Sequence, residues 1–188
     1  ADTTHYLRIN EIKNYQYCPR IPFYTLCFGI DRETNLSQVG IESERETKDR
    51  MKRRKHALHG VVAGQRHFDV TVYSHRARLI GKVDEIVQTE AGVYLVDYKD
   101  AVRDHGYWAI QMAAYALCAR ESLALPVLDQ FIYDIGKQQY EAIRVTKRVE
   151  DQVSAIVYDL QVMVQREVCP PATSHIGKCN VCQYARFC

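Results

Sequence analysis

The spacing of apolar residues predicts two helices in the first third of the chain. Apolar and aromatic residues recur at helical spacing over residues 8–17, and Pro19 predicts where that helix ends. Residues 42–59 are highly charged and contain neither glycine nor proline, and they lie between Gly40 and Gly60. Since glycine is frequent at helix ends, this segment predicts a second helix bounded by the two glycines.

The pattern changes to strands between residues 61 and 99. Polar and apolar residues alternate over 68–72, and branched apolar residues dominate 79–87 and 93–98. A turn at Gly92 separates the last two segments. The pattern predicts an antiparallel meander of three strands.

The second half of the chain continues with a helix, two strands and a further helix. Residues 107–121 are apolar and free of glycine and proline, which predicts a buried helix. Short strands are predicted at 130–135 and 139–145, followed by a long amphipathic helix at 147–168. The tail from residue 169 is predicted to be a loop-rich cap. This order indicates an α/β fold with a sheet core and flanking helices.

Length and composition favour one compact domain that spans residues 1–188. Hydrophobic residues make up 47% of the chain, enough for a core, and no apolar run approaches the roughly 20 residues that cross a bilayer. The start of the sequence has no basic segment followed by an apolar one, so we expect a cytoplasmic protein without membrane partners. In a reducing compartment, its seven cysteines favour metal ligation over disulfides.

Two acids and a lysine are predicted to meet on neighbouring strands. Asp97 and Lys99 are two residues apart, so they share one face of a strand, and Asp84 lies on the strand before it. Paired carboxylates suit a hard divalent cation, and a lysine beside them can orient water or stabilise charge on a phosphate. An ordinary surface ion pair is the alternative. The apolar setting of Asp97 argues against it, because a buried unpaired charge is costly.

Gln111 and Tyr115 follow on the next predicted helix. Positions four apart lie on one helix face, so both side chains can approach the edge of the sheet that carries the acids. Taken alone, the pair is better explained as an amide and a phenol satisfied within the core. Its place directly after the acid-x-lysine strand is what connects it to a site.

Cysteine spacing predicts a metal centre in the tail. Three cysteines fall within the last ten residues: Cys179, Cys182 and Cys188. Cys18, next to a proline at a helix end, is the expected fourth ligand, with Cys169 in reserve. Cys118 lies in an apolar helix and is expected to be a core residue. The spacing alone leaves zinc and an iron–sulfur cluster both open.

The net charge is only +2, but the basic residues are concentrated. Six of them fall within eight residues: Lys48, Arg50, Lys52, Arg53, Arg54 and Lys55. Such a run can bind DNA phosphates, and a solvated helix face is an equal alternative.

Taken together and in this order, several motifs resemble one family. They are YQYCPRIPFY near the start, GKVD at residues 81–84, VDYK at residues 96–99, Gln111 with Tyr115, and CNVCQYARFC at the end. The chain is identified by them as similar to the CRISPR-associated RecB-like exonucleases, the fourth Cas protein family. The resemblance implies a restriction-endonuclease-like core of the RecB type and an iron–sulfur cap formed by Cys18 and residues 169–188. It implies a 4Fe–4S cluster on four ligands: Cys18, Cys179, Cys182 and Cys188.

The resemblance also implies the active-site roles. Lys99, Asp84, Asp97, Gln111 and Tyr115 are the implied catalytic set. Asp84, Asp97 and the backbone carbonyl of Tyr98 are expected to hold Mg²⁺ or Mn²⁺. The family's first motif usually supplies a histidine as a further ligand, and Glu44 falls at that position here. Glu44 is therefore the expected ligand, with His56 and His59 on the same predicted helix as alternatives. Phosphate contacts are assigned to the basic run: Lys52, Arg53, Arg54 and Lys55.

In function, the resemblance implies a metal-dependent exonuclease that acts on single-stranded DNA overhangs, including 5′→3′ cleavage. Such enzymes trim DNA before the CRISPR integrase complex inserts it as a spacer in antiviral defence, and they preserve its selection and orientation by the protospacer-adjacent motif. Two other classes of function stay open. One is a non-catalytic DNA-binding adaptor of the integration complex, and the other is a zinc-bound structural protein.

Overall fold

The structure, a computed structural model, describes residues 6–30, 35–53, 64–100 and 105–188. Its helices are α1 (Ile9–Tyr17), α2 (Arg20–Phe28), α3 (Asn35–Lys52), α4 (His105–Ser122) and α5 (Lys147–Arg166). Its strands are β1 (Leu7–Arg8), β2 (Gln65–Ser74), β3 (Leu79–Gln88), β4 (Val93–Lys99), β5 (Val127–Asp134) and β6 (Gln139–Ala142). Two short 3₁₀ helices, Ile176–Val181 and Ala185–Phe187, follow α5 in the tail.

All six strands belong to one mixed sheet in the order β1-β3-β4-β5-β6, with β2 on the other edge of β3. The pairs β2–β3, β3–β4 and β5–β6 are antiparallel, whereas β1–β3 and β4–β5 are parallel. A parallel neighbour needs a crossover connection, and α4 provides it between β4 and β5. The predicted three-strand meander is therefore confirmed as β2–β3–β4.

Helices pack on both faces of this sheet. On one face, α1, α2, α4 and α5 cover the larger core, which includes Leu95, Ile132 and Leu160. On the other face, Met51 of α3 packs on a smaller cluster that includes Val96 and Tyr98. Because side chains alternate along β4, Leu95 and Val96 point to opposite faces. The sheet is thus buried on both sides, as its continuous apolar strands require.

The largest boundary error is at the start of α3, while β5 begins three residues before its predicted start and β6 ends three residues before its predicted end. Neither α2 nor β1 was predicted. α3 begins at Asn35 and runs through Gly40, which was predicted to precede the helix. A glycine inside a helix costs only about 1 kcal/mol, which the surrounding turns can offset. The expected end at Gly60 falls outside the described residues. α2 begins directly after Pro19, the residue that was predicted to end the first helix, and its own Pro22 occupies the first helical turn, where proline is tolerated. β1 has only two residues.

None of the helices in the described part of the chain is both long and apolar enough to span a bilayer.

Candidate active site

β3 and β4 separate at the two predicted acids. Their antiparallel ladder extends from the hairpin as far as the pair formed by Glu85 and Val96. Asp84 and Asp97 would form the next pair if the ladder continued. Instead, the backbone N–H of Tyr98 donates to Asp84 Oδ2 at 2.9 Å. A carboxylate thus satisfies a donor that the ladder no longer pairs, and both acids lie at the fork between the strands.

Asp97 and Lys99 form a buried ion pair at this fork. Lys99 Nζ lies 2.6 Å from Asp97 Oδ2, and the two side chains are only 12% and 3% exposed. Burial raises the pKa of Asp97 to about 6. The positive charge of Lys99 lowers this pKa, whereas the negative charges of Asp84 and Glu44 raise it further. Burial lowers the pKa of Lys99, but the same three carboxylates outweigh it and raise the pKa overall. The structure therefore brings together the two acids and the lysine of the predicted site: Asp84, Asp97 and Lys99.

α3 brings a further acid and a further lysine to the fork. Glu44 and Lys48 are one turn apart on this helix and so share a face. Lys48 Nζ lies 2.6 Å from Asp84 Oδ1 and 2.9 Å from Asp69 Oδ1. Glu44 is partly buried, and burial raises its pKa against the opposing charge of Lys99. Glu44 is thus near enough to Asp84 and Lys99 for their charges to act on it, and its role as a metal ligand stays a prediction. His56 and His59 are outside the described residues.

Asp69 belongs to the same charge network, although no sequence pattern indicated that it would. Its φ of 57° is uncommon for a residue other than glycine and interrupts β2 locally, while its neighbours Phe68 and Val70 stay paired with β3. Three lysines lie within ion-pair distance of its carboxylate: Lys48, Lys52 and Lys82. Although burial opposes them, these lysines lower the pKa of Asp69. No alternating pattern can reveal such a local change of backbone.

Gln111 and Tyr115 lie against the same part of β3. Gln111 Nε2 donates to Tyr115 Oη at 3.2 Å, and both side chains are buried. Burial raises the pKa of Tyr115, and the charge of Asp97 adds to the effect. A Cβ at Gly81 would lie 2.8 Å from Tyr115 Cε1, so the absence of a side chain there lets the ring approach the strand. Among the described residues, Gln111 Oε1 is buried without a hydrogen-bond partner.

Trp108 is a member of the site that sequence reasoning missed. Lys99 Nζ lies 5.1 Å from the centre of its ring, and Lys13 Nζ of α1 lies 5.3 Å from the same centre. Both distances are within the range of a cation–π contact. The signal available in the sequence was that the chain's single tryptophan follows the acid-x-lysine strand at the start of the next helix.

The predicted phosphate-binding run is only partly described. Lys52 forms ion pairs with Asp49 and Asp69, at 3.5 and 3.3 Å, and Arg53 is exposed at the end of α3. Arg54 and Lys55 lie outside the described residues. Lys48, which the sequence placed in this run, points to the acids instead. The run is therefore not one uniform basic surface in the part that the structure covers.

The tail packs against the helices on either side of Cys18. Tyr17 Oη donates to the backbone carbonyl of Lys178 at 3.2 Å, and Tyr24 Oη donates to that of Phe187 at 2.8 Å. Arg20 Nη1 lies 3.0 Å from Cys188 Sγ. The seven cysteines are free thiols: Cys18, Cys27, Cys118, Cys169, Cys179, Cys182 and Cys188. These contacts bring the tail to the end of the molecule that holds Cys18.

The donor atoms at the fork fit a hard divalent cation in their chemistry. Asp84, Asp97 and Glu44 supply carboxylate oxygens, and the raised pKa values of the last two reflect burial and mutual repulsion that a cation would relieve. The tail thiols likewise suit a metal centre. Within the ranges that the structure describes, however, no three or more His, Cys, Asp or Glu side chains come close enough together to hold one ion.

The sequence is similar to that of known nucleases, and the fold is similar to that of a solved structure. Residues 26–188 match the family profile of the PD-(D/E)XK nuclease superfamily. The chain is 28% identical over 182 residues to CRISPR-associated exonuclease Cas4 of Francisella tularensis subsp. novicida (strain U112), an alignment that covers 96% of this chain and 92% of the relative. The crystal structure of SSO0001 matches with a TM-score of 0.59 and 13% identity, covering 98% of this chain and 85% of the other. The last likeness concerns the fold alone. The resemblance and the nuclease core are thus confirmed, while the iron–sulfur cap stays a prediction.

Proposed function

From the premise that this chain belongs to the PD-(D/E)XK nuclease superfamily, we propose that it is a metal-dependent exonuclease acting on single-stranded DNA ends in the 5′→3′ direction. Its similarity to a Cas4 exonuclease supports a role in CRISPR adaptation, in which it trims pre-spacer DNA for the integrase complex. Motif-dependent selection and orientation of spacers belong to the same proposal.

The observation that carries this proposal is the buried pair of Asp97 and Lys99 beside Asp84 at the fork of β3 and β4. A buried ion pair is costly to desolvate and gives little net stability. Its presence next to a second acid is better explained by chemistry than by folding, since perturbed ionisable groups concentrate at functional sites.

The residues at the fork have distinct proposed roles. Asp84, Asp97, Glu44 and the carbonyl of Tyr98 would hold the divalent ion. A bound Mg²⁺ or Mn²⁺ would supply Lewis-acid stabilisation of the charge that develops on the attacked phosphate. Lys99, fixed by Asp97, would orient the hydrolytic water and neutralise a phosphate oxygen.

Gln111 and Tyr115 would support that arrangement from α4. The free amide oxygen of Gln111 can accept a hydrogen bond from water or from an ammonium group, and Tyr115 holds the amide in place through their 3.2 Å hydrogen bond. Lys52, Arg53, Arg54 and Lys55 would contact phosphates of the strand further from the fork.

Cleavage of end-labelled DNA tests the proposed activity. With Mn²⁺, we expect a single strand labelled at its 5′ end to release the label early, and a strand labelled at its 3′ end to shorten progressively. A duplex of the same sequence should be cut more slowly. The variant Asp97→Asn should lose at least a hundredfold in rate, because it removes one ion ligand and the partner of Lys99.

Asp151→Asn is the matched control, because Asp151 is an exposed acid of α5 whose partner Lys147 is also exposed. Its cleavage rate should equal that of the unaltered protein. Equal rates for Asp97→Asn and the unaltered protein would contradict the assignment of the site. DNA binding without any cleavage would instead favour the adaptor function.

We propose that the tail carries a 4Fe–4S cluster on Cys18, Cys179, Cys182 and Cys188. Support comes from the thiol chemistry and from the contacts that bring the tail to α1 and α2. The cluster would fasten the tail to the N-terminal helices and so stabilise the fold.

Protein purified without oxygen is expected to contain iron and acid-labile sulfide in equal amounts and to absorb visible light. Cys182→Ser should lose most of both, because it removes one proposed ligand. Cys27→Ser is the control and should keep them, and Cys169→Ser should also keep them unless the reserve ligand is the true one. Zinc without iron or sulfide would contradict the cluster.

A further inference from the structure

A third lysine, in addition to Lys99 and Lys48, faces the fork. Lys13 is a partly buried residue of α1, and its ammonium group lies over the Trp108 ring that also contacts Lys99. Ile9, one turn earlier on the same helix, lies next to β3, where its Cδ1 would be 2.6 Å from a Cβ at Gly81. Residues four apart share a helix face, so the face of α1 that packs on the strand of Asp84 also carries Lys13.

The charge of Lys13 is not neutralised within the described part of the chain. Its ammonium group has neither a hydrogen-bond acceptor nor an ion-pair partner there, and it lies over the Trp108 ring. Burial lowers the pKa of Lys13, and the like charge of Lys99 acts in the same direction, against the attraction of Asp97 and Glu44. A cation–π contact offsets only part of the cost of desolvating an ammonium group.

The other lysines near the fork differ in this respect. Lys48 Nζ lies within 3 Å of two carboxylates, those of Asp84 and Asp69, and Lys99 pairs with Asp97. Of these three lysines, Lys13 is the one whose ammonium group has no carboxylate partner among the described residues, so all three of its N–H donors can turn to a ligand. An anion that enters the fork would meet it.

We propose that Lys13 is a substrate-binding residue that contacts a phosphate oxygen of the DNA strand held at the fork. The proposal rests on the proposed function, since it names a further contact between the same site and its substrate. Lysine binds phosphate as a compact point charge, and partial desolvation strengthens the interaction. Trp108 would hold the ammonium groups of Lys13 and Lys99 on one ring, so that two cations approach the same stretch of backbone.

The test measures affinity for a fluorescent single-stranded oligonucleotide over a series of KCl concentrations, without added divalent ion. Lys13→Met keeps most of the apolar stem and removes the charge. We expect its affinity to fall about tenfold at low salt, and the slope of log K against log salt to become shallower by about 0.7, the value for one lost phosphate contact on a single strand. In the cleavage assay with Mn²⁺, KM should rise by more than kcat falls.

Two further variants make the result specific. Lys13→Arg keeps the positive charge and should retain the salt slope of the unaltered protein. Lys147→Met is the matched control, since Lys147 is 81% exposed on α5 and pairs with Asp151, which is also exposed; its affinity and slope should not change. An unchanged slope in folded Lys13→Met would overturn the proposal.

Folding and activity are controlled separately. If Lys13→Met does not fold, Lys13→Gln takes its place, and failure of both neutral variants to fold would assign Lys13 a structural role and also overturn the proposal. Absence of cleavage by the unaltered protein would refute the proposed function but would leave the salt slope to decide on Lys13.

Discussion

Replacing Lys99 with alanine is expected to lower the rate of DNA cleavage by about two to three orders of magnitude while leaving DNA bound. The ammonium group lies 2.6 Å from Asp97 at the fork, where it can neutralise charge on the attacked phosphate. Loss of one such preorganised electrostatic group typically costs this much in rate. The measurement is single-turnover cleavage of a labelled single strand at saturating enzyme, with binding measured in parallel without divalent ion.

Two comparisons make the Lys99 result interpretable. Lys147→Ala removes an exposed lysine of α5 and should cleave at the normal rate. Lys99→Ala should also keep its iron and sulfide, because none of the proposed cluster ligands lies on β4. They are at the C-terminal end of α1 and in the tail. Near-normal cleavage by a folded Lys99→Ala protein would remove the catalytic assignment.

The largest expected effect on stability comes from a different pair, Arg66 and Glu85. Glu85 is fully buried and accepts from Arg66 Nε at 2.5 Å and from the hydroxyl of Tyr98. Arg66 also donates to the backbone carbonyl of Met51 at 2.9 Å and so joins β2 to α3. Arg66→Met leaves a buried carboxylate without its cation and should lower the free energy of unfolding by about 3–5 kcal/mol. Urea denaturation measures the change.

Two further variants test whether the loss of stability in Arg66→Met comes from the unpaired charge of Glu85 and from its burial. Adding Glu85→Gln to Arg66→Met should restore part of the lost stability, because the carboxylate is then no longer charged. Arg120→Met breaks the solvent-exposed pair of Arg120 and Glu150 and should cost no more than about 1 kcal/mol. Equal losses of stability in Arg66→Met and Arg120→Met would show that the buried pair contributes no more to stability than the exposed pair.

Much of the fold and the centre of the site could be predicted from periodicity. Alternation with a period of two identified the meander and placed Asp97 and Lys99 on one face, and a spacing of four placed Gln111 beside Tyr115. These rules follow from the geometry of a single strand or helix. They hold here because β2–β3 and β3–β4 pair in a defined antiparallel register, which keeps each side chain on its own face of the sheet.

Residues that reach the site from separate elements could not be predicted in this way. Lys13 and Lys48 come from helices whose packing on the sheet is not encoded in local spacing, and Asp69 depends on a backbone irregularity. Charge alone was also misleading, because Arg66, which follows the basic run in sequence, is neutralised by Glu85 inside the fold. A cluster of basic residues in sequence therefore does not establish a surface that binds DNA.

The fork between β3 and β4 makes the length of their hairpin a determinant of chemistry. The N–H of Thr89 donates to the backbone carbonyl of Gly92 at 2.8 Å and closes the turn. Gly92 has a φ of 150°, and a Cβ at this position would lie only 2.3 Å from the backbone carbonyl oxygen of Pro126, so the turn requires glycine there. Loops usually accept insertions. Here one residue more or less would shift β4 against β3 and turn Asp97 to the opposite side of the sheet. Evolution can thus vary the composition of this loop far more freely than its residue count, although the loop itself is distant from the acids.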